Sequence, residues 1–371
     1  MAVNVAGPKL DYVDSLRGIA IIMVVVVHTS LSIEGLNKSV AAILFYFRTG
    51  VQLFFILSAF TLSLSITKRH DGNIRFYIRR FFRIAPLYYL AIPVYYLVTH
   101  LVAWPVKTTM ESYSDFTTFN VLANFLFIHG VVQSANNSIV PGGWSIGTEM
   151  LFYLIFPLIF KLYSKAENRK IYFIIPLAGL ACAILYSLVC LYVIKVNLST
   201  YKGFCFYNIL NQLPVFLLGV SAFFLKINMK TRYSILGLLV LFPLSFAITV
   251  VLKHDIALQT FVVGLSFVFL FCLFKSTPKL NVYILSRIGQ LSFSIYIFHF
   301  IFAWPISAYL DRRMHINPYL SLVVCIAVTL SLSFVVAGLS ERYIENPGIK
   351  LGRYIAKRVN WRQGAKAGTI S

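Results

Sequence analysis

Ten apolar runs, each long enough to cross a membrane, constrain this chain more than any other feature of its sequence. A transmembrane helix needs about 20 predominantly apolar residues. Only 12% of the 371 residues are charged and 59% are hydrophobic, whereas about a quarter of a soluble domain is charged. The sequence therefore predicts an all-α polytopic membrane helix bundle of about ten transmembrane helices. The runs lie at about 16–34, 43–66, 84–104, 144–163, 171–194, 207–225, 233–252, 258–275, 291–310 and 319–340.

The distribution of positive charge predicts the orientation of this bundle. If the N-terminus is cytoplasmic and the ten helices alternate, 25 of the 33 Lys and Arg residues lie inside and eight outside, which agrees with the positive-inside rule. An eleventh span at 121–132 would move the basic cluster 161–170 to the outside. We therefore interpret 105–143 as one external segment, whose apolar part lies in the interface or dips into the bundle. Both termini are then expected in the cytoplasm.

The net charge of +21 suggests an anionic partner. Nucleic acid is a poor candidate, because the basic residues lie in short loops between apolar runs. This pattern favours topology control and attraction to anionic membrane lipids. We expect residues 1–347 to form the membrane domain and residues 348–371 a basic cytoplasmic tail. The five cysteines are scattered through apolar runs without metal-ligand spacing, so no metal site is predicted.

The first apolar run contains two ionisable side chains, Arg17 near its start and His28 deep inside it. They are eleven positions apart, so a helix places them on one face, about 20° and about 16 Å from each other. Ionisable groups inside a bilayer are costly and point to function. We predict that both belong to a functional site. The alternative is that Arg17 reaches the headgroups while His28 bonds a neighbouring helix.

The loop 68–83 carries six basic residues, more than topology alone requires. Arg80 and Arg83 are three positions apart, so on a helix they can hold one anion together. Arg79 directly precedes them. Because a guanidinium bonds two phosphate oxygens at once, these arginines predict a phosphate-binding site. An ordinary basic loop that fixes topology is the alternative.

A glycine pair precedes the fourth span, and four side chains near it are candidates for a second part of the site. Trp144 can anchor at the membrane interface, Ser145 is expected to cap the helix, and Glu149 falls in its second turn. The helical rise puts Glu149 and His28 at a similar depth in the outer half of the membrane. Arg48 lies at the outer entry to the second span. Glu149 is expected either to orient the His28 imidazole or to pair with Arg48.

His299, in the ninth span, is a weaker candidate. A single histidine on such a helix bonds a neighbouring helix more often than it contacts substrate. The sequence contains no Walker lysine motif, no dinucleotide-binding glycine fingerprint after a strand and no GxSxG nucleophile elbow. A catalytic site must therefore work with His, Arg and Glu side chains, with a Ser or Tyr as a further candidate.

Several short patches now point to one family. They are Asp14–Ala20 with His28, Gly50–Phe60, Arg79–Ile84 with Pro86, Trp144–Glu149, and Ser294–Tyr296 with His299. Together they cover about 10–347, and the sequence resembles the membrane-bound acyltransferase 3 family, whose members O-acylate sugars of bacterial surface polysaccharides. It departs from the family at Met150, where a second acidic residue is frequent. It also lacks the esterase-like domain of the long members, so the final transfer is expected within the membrane domain or by a separate protein.

The resemblance implies that the membrane domain is an acyltransferase of the bacterial cytoplasmic (inner) membrane. The implied donor is a cytoplasmic acyl-CoA, with acetyl-CoA first, bound by Arg79, Arg80 and Arg83. Transfer then involves Arg17, His28 and Glu149, with no metal, and the acceptor is a polysaccharide or its lipid-linked precursor. We expect acceptor contacts from Arg48, Trp144, Ser145 and His299.

Two alternatives stay open. The first is a transporter or flippase for a lipid-linked or anionic solute, against which the absence of a visible inverted repeat argues. The second is an acyltransferase that acts on a lipid or a small molecule.

Overall fold

The computed structural model of the protein describes residues 10–69, 72–101, 115–197, 201–251, 256–312 and 317–367. These residues form helices joined by short turns, and none of them lies in a β-strand, which confirms the all-α prediction. The α-helices are α1 (Asp11–Ser30), α2 (Lys38–Tyr46), α3 (Gly50–Arg69), α4 (Asn73–Leu101), α5 (Thr118–Phe125), α6 (Gly143–Ser164), α7 (Ile171–Leu188), α8 (Ile209–Phe224), α9 (Thr231–Val251), α10 (Ile256–Ser276), α11 (Tyr283–Gln290), α12 (Ser292–Arg312), α13 (Pro318–Ser340) and α14 (Asn346–Ala367).

Ten helical stretches of the described chain are long and apolar enough to cross a membrane. They coincide with the ten predicted runs, and the protein is an integral membrane helix bundle. The second span is interrupted between α2 and α3 by the 3₁₀ turn Phe47–Thr49. The tenth continues from α13 through the π-helical turn Glu341–Glu345 into α14. The cytoplasmic location of the termini stays a prediction.

Helix α1 lies at the centre of the bundle. Within its most apolar 18 residues 72% are buried, against 11% for the span 231–248. It packs on α3, α11 and α12. The contact with α11 is close, since a Cβ atom added to Gly289 would lie 1.7 Å from the Asp14 carbonyl oxygen. Arg17 and His28 of α1 are half-buried within the bundle, whereas Asp11 at the start of the helix is exposed.

Residues 115–142, the described part of the segment between α4 and α6, fold onto the bundle without crossing it. They contain the eight-residue α5 and the 3₁₀ turn Ile128–Gly130, so residues 121–132 form no transmembrane helix, as predicted. Residues 105–114 of this predicted segment lie outside the described residues. His129 is fully buried, stacks on Tyr88 with ring centroids 5.5 Å apart, and donates from Nε2 to the Gly143 carbonyl at 3.0 Å. Burial lowers the pKa of His129 to about 4.

The chain after the last predicted run forms α14, which packs along α4. Ala356 is buried, and Gly348 lies against Phe82 and Pro86 of α4. The basic tail is thus helical as far as residue 367 and contacts the helix that carries the predicted phosphate site. The domain boundary at residue 347 stays a prediction.

Candidate active site

A cavity of about 430 Å³ lies between α1, α3, α4, α6 and α12. Its charged lining residues are Arg17, Arg69, Arg80, Arg83 and Glu149. Four guanidinium groups around one carboxylate give the cavity a strong positive charge. The arginines come from three different helices, so the fold assembles a site that no single stretch of sequence contains.

The two arginines predicted to act together, Arg80 and Arg83, both line this first cavity. The Arg80 guanidinium lies 5.8 Å from the centroid of the Phe76 ring and 5.9 Å from that of Tyr153. Arg83 is exposed. Arg79 is half-buried and is not among the described residues that line the cavity, because its side chain points about 100° away from that of Arg80.

Arg17 enters the first cavity from α1. Its guanidinium donates to Thr61 Oγ1 of α3 at 3.3 Å and forms an ion pair with Asp14 at 3.4 Å. Each of these partners accepts one long hydrogen bond, so the guanidinium keeps other N–H groups that can bind an anion.

Glu149 also lines the first cavity, and its Oε1 atom has two short hydrogen bonds. Ser58 Oγ donates to it at 2.5 Å and the Tyr153 hydroxyl at 2.6 Å. The structure therefore corrects the prediction that Glu149 orients His28. Nor does it show the alternative pair, because Arg48 lies against the Phe45 ring at 4.3 Å and lines a different cavity. Depth in the membrane does not say which helices are neighbours.

A second cavity of about 240 Å³ contains the other predicted residues, His28, Arg48 and Trp144. Its walls are rich in aromatic rings. Trp144 stacks on Tyr207 with centroids 4.4 Å apart, and the Arg48 guanidinium lies between the rings of Phe45 and Phe206. The further aromatic lining residues are Tyr296, Phe300 and Trp304.

The imidazole of His28 has a histidine as its partner. His299 Nε2 lies 3.0 Å from His28 Nδ1, and His299 Nδ1 lies 2.7 Å from the Tyr296 carbonyl oxygen. His299 is fully buried and is not among the described residues that line either cavity. The structure therefore corrects its predicted role as an acceptor contact and places it behind His28, as an interhelix hydrogen-bond partner.

The two cavities meet at a thin wall, since Val51 and Tyr296 line both of them. The Tyr296 hydroxyl donates to the Gly142 carbonyl at 2.9 Å and accepts from Ser145 Oγ at 2.8 Å. Gly142 has a φ of +75°, a conformation that favours glycine. Ser145 lines the first cavity. It does not cap the helix as predicted, because α6 begins two residues earlier, at Gly143.

Sequence reasoning missed three residues of this site. Arg69 looked like one more cation of a basic loop, and Ser58 and Tyr296 stood in patches that carried the family resemblance without an assigned role. The only available signal was their position in those patches and near the predicted arginines. Their side chains converge only after α3, α6 and α12 have packed together.

Comparison with known proteins identifies the family. Residues 10–338 match the acyltransferase 3 family, described as an acyltransferase domain. A Staphylococcus aureus (strain COL) protein named "Putative O-acetyltransferase" is 26% identical over 95% of this chain, which covers 59% of that protein. Acyltransferase MdmB of Streptomyces mycarofaciens is 25% identical over 48% of this chain and 45% of its own length.

The chain spans about three fifths of the length of the staphylococcal relatives. No solved structure matches it. The family match extends over nine of the ten candidate spans and half of the tenth, and it includes every described residue that lines the two cavities. These residues therefore form an acyltransferase domain embedded in a membrane, and the chain belongs to the acyltransferase 3 family.

Proposed function

We propose that the protein moves an acetyl or other short acyl group from cytoplasmic acyl-CoA to a hydroxyl group of a surface polysaccharide or its lipid-linked precursor. The observation that carries the proposal is the pair of cavities. One is strongly basic, the other is aromatic and contains His28, and they are separated by a wall that Val51 and Tyr296 share. The protein would act in the bacterial cytoplasmic membrane.

The basic cavity suits the donor. An acyl-CoA carries several phosphates at one end and an apolar acyl thioester at the other. Arg80 and Arg83, with Arg69, present guanidinium groups that can bind those phosphates through charge-assisted hydrogen bonds. The acyl end would reach toward Val51 and Tyr296, where the lining becomes apolar and aromatic.

The aromatic cavity suits a sugar. Binding pockets combine apolar and aromatic walls with a few polar groups that fix orientation. Here the rings of Trp144 and Tyr207 offer flat surfaces for the C–H faces of a sugar, while Arg48 and Asn137 can bond hydroxyl groups. A volume of about 240 Å³ lies below the range of about 300–1,000 Å³ usual for ligand pockets. It therefore fits one sugar unit with its acceptor hydroxyl rather than a long stretch of polymer.

His28 is the residue in this cavity that can perform the chemistry. As a general base it would take the proton of the acceptor hydroxyl while the oxygen attacks the thioester carbonyl. The C–O bond forms, the C–S bond breaks, and the proton passes from His28 to the CoA sulfur, so no co-reactant is needed. In the alternative order His28 first accepts the acyl group as an acyl-imidazole and then passes it to the hydroxyl.

Arg17 and Glu149 would act on the donor side. Arg17 lies in the first cavity with unused N–H groups, from which it can guide the donor or stabilise an oxyanion as the thioester is attacked. Glu149 orders Ser58 and Tyr153 around the same space, and its second carboxylate oxygen can accept hydrogen bonds from the amides of the pantetheine arm.

The names of the relatives support this proposal as far as acyl transfer and, for the staphylococcal proteins, O-acetylation. The donor and the acceptor rest on the chemistry of the two cavities.

The test measures release of CoA thiol from acetyl-CoA by the purified protein in nanodiscs, with and without cell-surface glycan. We expect glycan-dependent release that the His28→Ala variant loses. The matched control is His100→Gln, a change of an exposed histidine on α4, which should leave the rate unchanged. Release that His28→Ala retains would overturn the role of His28. Glycan transport without thiol release would favour the transporter, and release that needs a lipid or small molecule would favour the other acyltransferase.

A further inference from the structure

The hydrogen bonds behind His28 form a directed series that ends at a backbone carbonyl. We infer that His299 is a positioning residue that fixes the tautomer of His28 and leaves its Nε2 atom as the nitrogen that reacts. The catalytic meaning of this inference rests on the proposed function, whereas the tautomer itself does not.

The series starts at His299. Its Nδ1 atom faces the carbonyl oxygens of Tyr296 at 2.7 Å and Ile295 at 3.2 Å. A carbonyl oxygen only accepts hydrogen bonds, so Nδ1 must carry the proton. A neutral imidazole has one N–H group and one lone pair. The lone pair of His299 is therefore on Nε2.

The next step transfers this constraint to His28. His299 Nε2 accepts, and the atom 3.0 Å away from it is His28 Nδ1. His28 Nδ1 must therefore be the donor, and in the neutral ring the lone pair lies on Nε2.

The surroundings keep this arrangement in one geometry. The Phe300 ring packs against both imidazoles, with centroids 4.3 Å from His28 and 4.0 Å from His299. An imidazolium ion in such an apolar site would lose its hydration, and two of them 3.0 Å apart would also repel each other. The neutral pair is the form that the site accommodates, and a neutral His28 with a free Nε2 is the form that both mechanisms require.

His28 lines the second cavity, whereas His299 is fully buried. His28 is therefore the histidine that substrate can reach, and its lone pair is on Nε2, the nitrogen that does not contact His299. This resembles the way in which a second group selects the reactive tautomer of a catalytic histidine. His299 would touch neither substrate.

The first test observes the tautomer directly. The protein is labelled with ¹⁵N-histidine, reconstituted in lipid and examined by solid-state NMR, and the His28 signals among those of the seven histidines are assigned by their loss in His28→Gln. We expect a protonated Nδ1 and an unprotonated Nε2 on His28, and the same pattern on His299. A protonated Nε2 on His28 would overturn the inference, whether or not the protein transfers acyl groups.

The second test compares two replacements of His299 in the thiol-release assay. The amide oxygen of His299→Gln can accept the His28 Nδ1–H bond, whereas His299→Leu cannot. Loss of the partner that orients a metal-ligating histidine typically costs about 10–100-fold, and we take this range as a guide for the metal-free pair. We expect kcat to fall by about this factor in His299→Leu, with KM for acetyl-CoA unchanged, and to recover to within a few-fold of wild type in His299→Gln.

Equal losses in the two variants would contradict a positioning role and indicate a merely structural one. Unchanged kcat in His299→Leu would contradict it as well. If the leucine variant fails to fold, the NMR result on the unmodified protein still decides. An active His28→Ala protein would refute the proposed role of His28 while leaving the tautomer measurement intact.

Discussion

Replacing Arg83 by Gln should weaken binding of the phosphate end of the donor and little else. Arg83 lines the first cavity and is exposed, so the substitution leaves no buried group unpaired. A hydrogen bond to a charged group contributes about 1.5–3 kcal/mol, and about 1.4 kcal/mol corresponds to a factor of ten. Exposure to solvent reduces such a contribution. We therefore expect KM for acetyl-CoA to rise about tenfold.

The assay compares two donors, acetyl-CoA and acetyl-pantetheine, which has the same thioester but lacks the nucleotide phosphates. The rise in KM should appear with acetyl-CoA and be absent with acetyl-pantetheine, and kcat should stay unchanged with both. Arg232→Gln is the matched control, because it also removes one exposed cation but lies outside both cavities. A loss of equal size with the two donors would refute the assignment of Arg83 to the phosphates.

Two further predictions concern the aromatic cavity and the segment that covers α6. Trp144→Leu removes a ring that lines the aromatic cavity and that would contact the acceptor sugar. Taking the contribution of such a contact as that of an aromatic pair, about 0.5–1.5 kcal/mol, we expect KM for the acceptor to rise about 3–10-fold while KM for acetyl-CoA stays unchanged. A selective effect on the donor would contradict the assignment. His129 has its folded-state pKa lowered to about 4 by burial, so the unfolded chain binds more protons between about pH 6.5 and pH 4. The free energy of unfolding should fall as the pH drops through this window, by up to about 3 kcal/mol. In thermal unfolding, His129→Gln should lose less stability over this pH range than wild type or His100→Gln. Parallel pH profiles of the three proteins would contradict this prediction.

The fold could be predicted because its strongest determinant is local. Each span is a continuous apolar run, and hydropathy together with the charge of the loops placed all ten and dismissed 121–132. The cooperation of Arg80 and Arg83 was also local, since three positions on one helix determine which way both side chains point. Arg79, one position earlier, points elsewhere for the same reason.

The partners across helices could not be predicted. His28, Glu149 and Arg48 were expected to form one group because they were predicted at one depth. Instead, α1 packs against α12 and His28 contacts His299, while α3 packs against α6 and Ser58 donates to Glu149. Which helices are neighbours depends on tertiary packing, and hydropathy contains no information about it. The wall that Val51 and Tyr296 form between the two cavities could not be predicted for the same reason.

In the predicted orientation, the basic cavity with Arg80 and Arg83 lies toward the cytoplasm and the aromatic cavity with Arg48 toward the outside. Donor and acceptor would therefore meet at His28 from opposite sides of the membrane. Proteoliposomes that contain acceptor glycan in their lumen and receive acetyl-labelled acetyl-CoA outside test it most directly, because acetyl-CoA does not cross a lipid bilayer by itself. The account predicts that label appears on the enclosed glycan and that His28→Ala abolishes it while the protein remains in the membrane. Label found only on glycan added to the same side as acetyl-CoA would contradict the account.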